Sequence, residues 1–297
     1  MPHCMGPDRE RLRLTAQRIV RSLARGTRMS VVLDDYYSPL VDPNRLPPET
    51  WARQAPMPGL ELDLSRPLAL IEGPLAPLIA EFDAPVHAPR SPHGYYLDND
   101  MYGPMDAHIL YAMLRHSPPR RVLELGSGYS TLVIAQALAR NGTPHEHVVV
   151  DPQPSPLVIA LPGVRIEHES AATVAEELFG ELAARDVLFV DTTHVVKPGG
   201  EVTRLVLELL GGLAAGVVVH FHDIYRPFEY PRVFYDRFNV HWQEQYLLQA
   251  FLAYNDRFRI TCPNHALWRL HRERMLAIFD GLHEGREPSG FWFERMG

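Results

Sequence analysis

The sequence predicts an α/β fold in which a mostly parallel sheet is covered by helices on both faces. From about residue 120 onward, short apolar runs alternate with segments of helical length, as in consecutive βα units. A glycine-rich turn follows the first of these runs, and carboxylates or histidines follow several others. Both features are typical of open parallel sheets, which bind ligands beyond the carboxyl ends of their strands.

The elements are predicted from periodicity and from the residues that bound them. The predicted strands are 121–125, 147–150, 164–168, 187–190, 216–221, 257–261 and a last one at 290–295. The predicted helices of this part are 130–140, 171–183, 201–213, 242–254 and 266–282. Earlier in the chain prolines are frequent, and short helices are predicted only at 8–25 and 67–82. This difference in composition and periodicity predicts an N-terminal cap over the substrate, formed by residues 1–92, and an α/β core formed by residues 93–297.

Composition and charge exclude several classes of protein. The chain has 297 residues, 46% of them hydrophobic, which is enough to bury a full core. Its formal net charge is −7 and it has no basic block, so nucleic acid is not an expected partner. No apolar run reaches the roughly 18 residues of a membrane span. The only cysteines, Cys4 and Cys262, form no spaced framework, which favours a reducing cytoplasm.

The most informative segment is Arg121 to Thr131, RVLELGSGYST, in which a short strand breaks into a glycine turn. Glycines at 126 and 128 would let a bound ligand approach the backbone closely. Glu124, at the strand end, is predicted to accept hydrogen bonds from the hydroxyl or ammonium groups of that ligand. Asp151 ends the next strand, where a carboxylate can bind both hydroxyls of a ribose.

Three interpretations of this turn differ in the ligand. A dinucleotide fold requires a third glycine where Thr131 stands, and Glu124 would repel its phosphates. A glycine turn without any ligand is the second interpretation. In the third, the string ELGSG resembles motif I of the class I S-adenosylmethionine (SAM) methyltransferases, whose ligand carries a sulfonium and an ammonium. The resemblance implies SAM contacts from these residues: Glu124, Gly126, Ser127, Gly128, Ser130, Thr131, Asp151, Glu169 and Asp191.

A polar cluster is predicted where the fourth and fifth strands end. Asp191 follows the fourth strand, while His222 and Asp223 follow the fifth. Strands four and five should be neighbours, so the three side chains would reach one substrate or one divalent metal ion. A histidine in this place could instead act as a general base. It is also possible to interpret these residues as purely structural, with Asp191 capping its loop and the histidines bonded to backbone.

Longer strings make the resemblance more specific. DTTHVVKPGGEV (residues 191–202), HFHDIYRPFEYP (220–231), EQYLLQAFL (244–252) and YYSPL (36–40) are similar to a bacterial group of class I methyltransferases. That group implies a Rossmann-like seven-stranded sheet with an antiparallel strand inserted beside the fifth. More distant catechol-type and macrolide-sugar O-methyltransferases hold Mg²⁺ with one acid after strand four and an acidic pair after strand five. Histidine in that pair favours a softer ion such as Mn²⁺, Fe²⁺ or Zn²⁺, or no metal.

The predicted activity is SAM-dependent methylation of a small molecule in a biosynthetic pathway, with oxygen as the favoured acceptor atom. His194 and His222 are the candidate bases, and Lys197, the only lysine, is the candidate partner for an acceptor anion. One alternative is a non-catalytic protein that binds SAM or a nucleotide. Another is an N- or C-methyltransferase with a metal-free histidine base. The expected partner is a small-molecule acceptor, without nucleic acid or membrane, and a homodimer is compatible with the sequence.

Overall fold

The structure, a computed structural model, describes residues 38–88, 94–279 and 286–297, together with isolated positions before residue 38. The predicted helix at 8–25 falls largely outside the described residues. The described residues up to 47, together with 232–241, form one compact unit, and the described residues of 48–231 and 242–297 form the other. None of the described helices has the length and apolar character that crossing a bilayer would require.

Helices and strands alternate along most of the described chain. The helices are α1 (Ser65–Leu70), α2 (Ala76–Glu81), α3 (Pro104–His116), α4 (Tyr129–Asn141), α5 (Pro156–Ile159), α6 (Glu177–Gly180), α7 (Glu201–Arg204), α8 (Arg232–Phe238), α9 (Glu244–Leu252), α10 (Asn264–Leu270) and α11 (Arg272–Ile278). Turns of π-helix extend α1 and α7 over Ile71–Leu75 and Leu205–Leu209, and short 3-10 turns lie at Pro43–Arg45, Pro48–Trp51 and Leu210–Gly212. The strands are β1 (Arg121–Leu125), β2 (Glu146–Val150), β3 (Val164–Glu167), β4 (Val187–Val190), β5 (Val218–Phe221), β6 (Phe258–Pro263) and β7 (Phe291–Arg295).

The larger unit is organised around one seven-stranded sheet with the order β3-β2-β1-β4-β5-β7-β6. Strands β1 to β5 pair in parallel, and β7 runs antiparallel between β5 and β6. This architecture confirms the predicted fold class, a Rossmann-like and mostly parallel sheet of the class I methyltransferase type. It also confirms the inserted antiparallel strand beside the fifth.

Both faces of the sheet are covered, which explains why β4 is buried at every position. On one face Leu75 and Ile109 pack in a cluster with Phe189 of β4. On the other face Val206 and Leu248 pack in a second cluster that includes Leu188 of the same strand. With side chains alternating along each strand, β4 contributes to both clusters.

Two helices differ from the sequence prediction. Helix α3 was not predicted, although Pro104 stands at its first turn, where proline is well tolerated. The predicted helix at 171–183 is wrong, since only α6 is helical there. The Arg204 guanidinium accounts for this, because it donates hydrogen bonds to the carbonyl oxygens of Ala171 (3.1 Å) and Val174 (2.8 Å). The predicted helix at 266–282 is divided at His271 into α10 and α11.

The predicted boundary at residues 92 and 93 does not coincide with the division into two units. Residues 48–88 belong to the larger unit, where Leu68, Ile71 and Leu75 are buried in the cluster that contains α3. Within the smaller unit, Arg232 donates to Asn44 Oδ1 (2.8 Å), and the amide of Val41 donates to His241 Nδ1 (3.1 Å). Coverage of an acceptor by the N-terminal segment stays a prediction.

Candidate active site

The two glycines of the turn after β1 have different structural roles. Gly126 has φ +81°, and a Cβ there would lie 1.8 Å from the carbonyl oxygen of Asp191. The neighbouring strand end by itself therefore requires a glycine here, and contact of Gly126 with a ligand stays a prediction. A Cβ at Gly128 would meet no atom within 4 Å. Gly128 is thus the position that leaves open space for a ligand at the backbone.

Glu124 holds the turn from inside the protein. Its Oε1 accepts hydrogen bonds from Ser130 Oγ (2.8 Å) and Thr131 Oγ1 (3.0 Å), and its Oε2 lies 2.8 Å from His147 Nε2. All four side chains are buried. The polar atoms of Glu124, Ser130 and Thr131 are engaged with one another, and their contact with a cofactor stays a prediction. Thr131 Oγ1 also accepts from the amide of Gly128 (3.0 Å), which fixes the turn.

Asp151 and Ser127 meet at the open side of the turn. Register pairs Leu125 with Val150, so Asp151 follows β2 beside the turn that follows β1. Its Oδ2 accepts from Ser127 Oγ at 2.5 Å, and its Oδ1 accepts from the amide of Gln153 at 2.7 Å. Asp151 is partly exposed, which leaves its carboxylate accessible to hydroxyl donors. Glu169 is exposed after β3, and the structure gives it no hydrogen bond to any described residue of the turn.

Beyond β4 and β5, an acid–histidine cluster forms around His194. Its Nε2 lies 3.2 Å from Asp191 Oδ1 and 3.8 Å from Asp223 Oδ2. On the other side of the ring, Nδ1 donates to Glu244 Oε2 at 2.7 Å. Ligand atoms of Asp191, His194 and Asp223 all lie within 4.8 Å of one another, as a metal site requires.

His222 is not the third member of this cluster, contrary to the prediction from sequence. Its Nε2 lies 3.8 Å from Asp223 Oδ1, its Nδ1 has no hydrogen-bond partner among the described residues, and its ring centroid lies 4.7 Å from that of Tyr102. Both rings are buried. The backbone beyond β4 instead turns His194 inward, so His194 replaces His222 in the predicted ligand set of Asp191, His222 and Asp223.

Lys197 lies outside the cluster. It is exposed, and its Cγ lies 2.8 Å from the point where a Cβ at Gly200 would stand. Within the described parts of the chain it forms no ion pair with Asp191, Asp223 or Glu244. The structure therefore does not bring Lys197 to the carboxylates, and its predicted role toward an acceptor anion stays a prediction.

Two members of the cluster have left-handed backbone conformations. His194 has φ +57° and Asp223 has φ +56°, which costs of order 1 kcal/mol or more for a residue with a Cβ. Hydrogen bonds to the His194 carbonyl oxygen from the amides of Gln243 (3.1 Å) and Glu244 (3.2 Å) help to offset this cost. Strain of this kind concentrates at functional sites, which supports a functional interpretation of the cluster.

The ionisable groups of the cluster shift one another's pKa values. Burial opposes ionisation of Asp191, but the hydrogen bond from His194 and the nearby histidine charges prevail and lower its pKa to about 2. Burial likewise opposes protonation of His194, but Glu244, Asp191 and Asp223 raise its pKa well above the ordinary value. Burial raises the pKa of Glu244, and the imidazole opposes that shift. The three surrounding carboxylates thus favour the protonated form of the His194 ring.

Glu244 and His220 illustrate what the sequence did not reveal. Glu244 stood within one of the strings of the resemblance, but nothing marked it as a partner of His194. Its burial at the first turn of α9 could have been suspected from the apolar residues that follow it. His220 belongs to β5. It is buried between Phe189 and Trp292, yet neither ring nitrogen has a partner in the described structure.

Comparison with known proteins relates part of the chain to methyltransferases. Residues 123–224 match the family model described as a methyltransferase domain. The matched stretch includes the glycine turn, Asp151, Asp191 and Asp223, so the part of the chain that holds the candidate site is similar to methyltransferase domains. No curated protein matches the chain at a significant level.

Solved structures resemble the chain in outline. SAH-bound methyltransferase PaMTH1 from Podospora anserina is 17% identical, with a TM-score of 0.42 over 66% of this chain and 80% of that one. The plantazolicin methyltransferase BpumL, in complex with SAH and a monoazolic desmethylPZN analog, is 10% identical (TM-score 0.39; 65% and 81%). A putative methyltransferase from Thermobifida fusca YX is 16% identical (TM-score 0.39; 65% and 81%).

Proposed function

We propose that the protein is a SAM-dependent methyltransferase that acts on a small molecule, with oxygen as the favoured acceptor atom. The observation that carries the proposal is the position of Asp191 between two parts of one site. Its backbone carbonyl closes the glycine turn at Gly126, and its carboxylate belongs to the cluster around His194. A cofactor seated on the turn would thus lie next to a group of side chains that can bind and activate an acceptor.

The open side of the turn fits the nucleoside part of SAM. Gly128 leaves room at the backbone, and Asp151 offers a partly exposed carboxylate for the ribose hydroxyls. Thr192 Oγ1, directly after Asp191, is buried without a hydrogen-bond partner among the described residues, as a polar atom that a ligand would satisfy is. Bound SAM would supply a methyl carbon on a sulfonium, open to in-line displacement. The remaining task of the protein is to align the acceptor and assist its deprotonation.

Asp191, His194 and Asp223 also fit a divalent metal ion. Two carboxylates and one imidazole form a mixed oxygen and nitrogen donor set, which suits Mn²⁺, Fe²⁺, Co²⁺ or Zn²⁺ better than Mg²⁺. Asp191 and Asp223 are 30% and 19% exposed, so an acceptor could reach the ion from solvent. Such an ion would lower the pKa of an acceptor hydroxyl and orient the resulting oxyanion.

Two alternatives differ from this proposal in chemistry. An N- or C-methyltransferase would use a histidine base without metal, which requires His194 or His222 to be neutral. A non-catalytic protein would bind SAM and transfer nothing. The proximity of ligand atoms from Asp191, His194 and Asp223 is what supports the metal-assisted form over a metal-free base.

Methyl transfer and cofactor binding can be tested together. Calorimetry with SAM, SAH and NAD measures ligand choice, and isotopically labelled SAM with a panel of hydroxylated metabolites measures transfer. Saturable SAM and SAH binding with label in a small-molecule product would support the proposal. Binding without transfer to any acceptor favours the non-catalytic alternative, and equal affinity for NAD contradicts both. The expected cytoplasmic location and a homodimer remain predictions.

A further inference from the structure

Glu244 is a buried carboxylate with a single hydrogen-bond partner among the described residues. It is the first residue of α9 and has no exposed surface, and its Oε2 accepts the hydrogen bond from His194 Nδ1 at 2.7 Å. Its other oxygen, Oε1, has no hydrogen-bond partner in the described structure. Burying a charge is costly unless it is paired, so the ring of His194 is what makes this carboxylate tolerable.

The same helical turn also holds the backbone of His194. The amides of Gln243 and Glu244 both donate to the His194 carbonyl oxygen, at 3.1 and 3.2 Å. Two residues further, the amide of Val196 donates to Gln243 Oε1 at 3.2 Å. The loop after β4 is thus attached to the start of α9 at three points besides the ring, and the ring cannot turn without breaking the bond to Glu244.

Fixing one nitrogen of an imidazole determines what the other can do. With the proton of Nδ1 committed to Glu244, Nε2 is left to face Asp191 and Asp223, at 3.2 and 3.8 Å. Histidines that bind metals nearly always donate their second nitrogen to a carboxylate or carbonyl, which sets the tautomer and increases ligand basicity. The geometry around His194 has this arrangement before any ion is bound.

We infer that Glu244 is the positioning residue of a divalent metal centre formed by Asp191, His194 and Asp223. It does not touch the ion or the acceptor. It holds the imidazole with Nε2 directed at the two carboxylates and keeps the proton on Nδ1. This inference rests on the metal-assisted form of the proposed function, and it assigns to α9 a role that neither the glycine turn nor the strand ends provide.

A purely structural role predicts a different outcome. Glu244 stands in the first turn of a helix, where a carboxylate is favoured by the helix dipole whatever its partner. In that case the loss of its charge would lower stability and leave the affinity of the cluster for metal unchanged. Metal affinity therefore separates the two roles.

The test is a titration of the full-length, metal-free protein with Mn²⁺ alone, followed by electron paramagnetic resonance. Glu244→Gln keeps the shape of the side chain, but its amide can donate to Nδ1 as well as accept from it. We expect this variant to bind Mn²⁺ about 10- to 100-fold more weakly than the wild type. Asp191→Asn should lose binding, and Glu208→Gln, an exposed residue elsewhere on the surface, should bind as the wild type does. Equal affinity of Glu244→Gln and wild type, or no binding by the wild type, would overturn the inference.

A second measurement does not need a variant at Glu244. In the Zn²⁺-loaded wild type, ¹⁵N chemical shifts of the His194 ring, assigned by their loss in His194→Asn, should show a protonated Nδ1 and a metal-bound Nε2. The opposite assignment contradicts the positioning role even where Glu244→Gln fails to fold. SAH calorimetry on the wild type keeps the two proposals apart. If SAH binds and Glu244→Gln binds Mn²⁺ as the wild type does, or the ¹⁵N assignment is reversed, only this inference fails. If the wild type binds SAH but no Mn²⁺, the metal assistance on which it rests fails as well. Absence of SAH binding counts against the proposed function.

Discussion

The carbonyl oxygen of Asp191 lies 1.8 Å from the point where a Cβ at Gly126 would stand. The carboxylate of the same residue lies 3.2 Å from His194 Nε2. Asp191 therefore touches the glycine turn with its backbone and the acid–histidine cluster with its side chain. Because the two contacts belong to one residue at the end of β4, a displacement of the turn also displaces the cluster.

Alanine at the two turn glycines should affect two different properties, stability at Gly126 and SAH affinity at Gly128. Gly126→Ala places a methyl group against a backbone carbonyl at a positive φ, so we expect a loss of about 2–4 kcal/mol in the free energy of unfolding. Gly128→Ala meets no protein atom, so it should fold normally and bind SAH more weakly. Urea denaturation and calorimetry measure the two quantities. Unchanged SAH affinity in Gly128→Ala would place the ligand elsewhere.

Asp151→Ala should weaken SAH binding by about 1–3 kcal/mol, because hydrogen bonds from the ribose would be lost. Ser127→Ala removes the hydroxyl that donates to Asp151 Oδ2 and should have a smaller effect. Calorimetry at neutral pH gives both affinities. If Ser127→Ala costs more than Asp151→Ala, the carboxylate is not the ribose acceptor.

Methyl transfer should stop after exhaustive EDTA treatment and return when Mn²⁺, Fe²⁺, Co²⁺ or Zn²⁺ is added back singly. His194→Ala should lose metal-dependent turnover, because His194 supplies the imidazole of the cluster. His222→Ala should keep it, because His222 lies outside that set. Full activity in EDTA together with an inactive His222→Ala would identify His222 as a metal-free base.

Stability should fall as the pH is lowered from about 6.5 toward 3, in part because of His265. Burial, with a smaller contribution from Arg269, lowers the pKa of His265 from 6.5 to about 3. In this window the unfolded chain binds a proton that the folded protein does not, so each pH unit costs up to about 1.4 kcal/mol. His265→Asn should flatten the dependence, measured by urea denaturation at pH 7, 6 and 5. An unchanged slope would show that the ring is protonated in the folded state.

Leu75→Ala should destabilise the protein by about 2–5 kcal/mol, since Leu75 has no exposed surface and packs in the cluster that contains α3. Val86→Ala is the matched control, because Val86 is 57% exposed. Thermal denaturation of the two variants measures the difference. A small effect of Leu75→Ala would show that residues 48–88 contribute little to the core.

Most of the sheet could be predicted because its strands are short apolar runs that end at chemically distinct residues. The runs that contain Leu123 and Leu188 end before Gly126 and Asp191, and the predicted strand bounds agree with the structure within a few residues. Helix α3 could not be found from periodicity, because it is buried on nearly all sides. Asp106 and His108, which look like solvent-facing positions, are both buried in it. The helix predicted at 171–183 failed for a tertiary reason, the guanidinium of Arg204, which no local pattern reveals.

The strand ends that form the site could be predicted, but the side chains that meet there could not. Asp191 and Asp223 were identified because they follow adjacent strands. The choice between His194 and His222 depends on the left-handed backbone of His194, which a β-carbon-bearing residue adopts only when its surroundings impose it. The surroundings of Glu124 could not be predicted, because a sequence does not show that Ser130, Thr131 and His147 would hydrogen-bond to it.

The position of β7 has a consequence for the order in which the molecule can assemble. It pairs with β5 on one side and β6 on the other, although both precede it in the chain. During synthesis one edge of β5 therefore stays unpaired, and β6 has no partner strand, until Phe291–Arg295 has left the ribosome. Unpaired strand edges beside exposed aromatic side chains are sites of aggregation. Chains interrupted before Phe291 should thus be insoluble, whatever the stability of the finished protein.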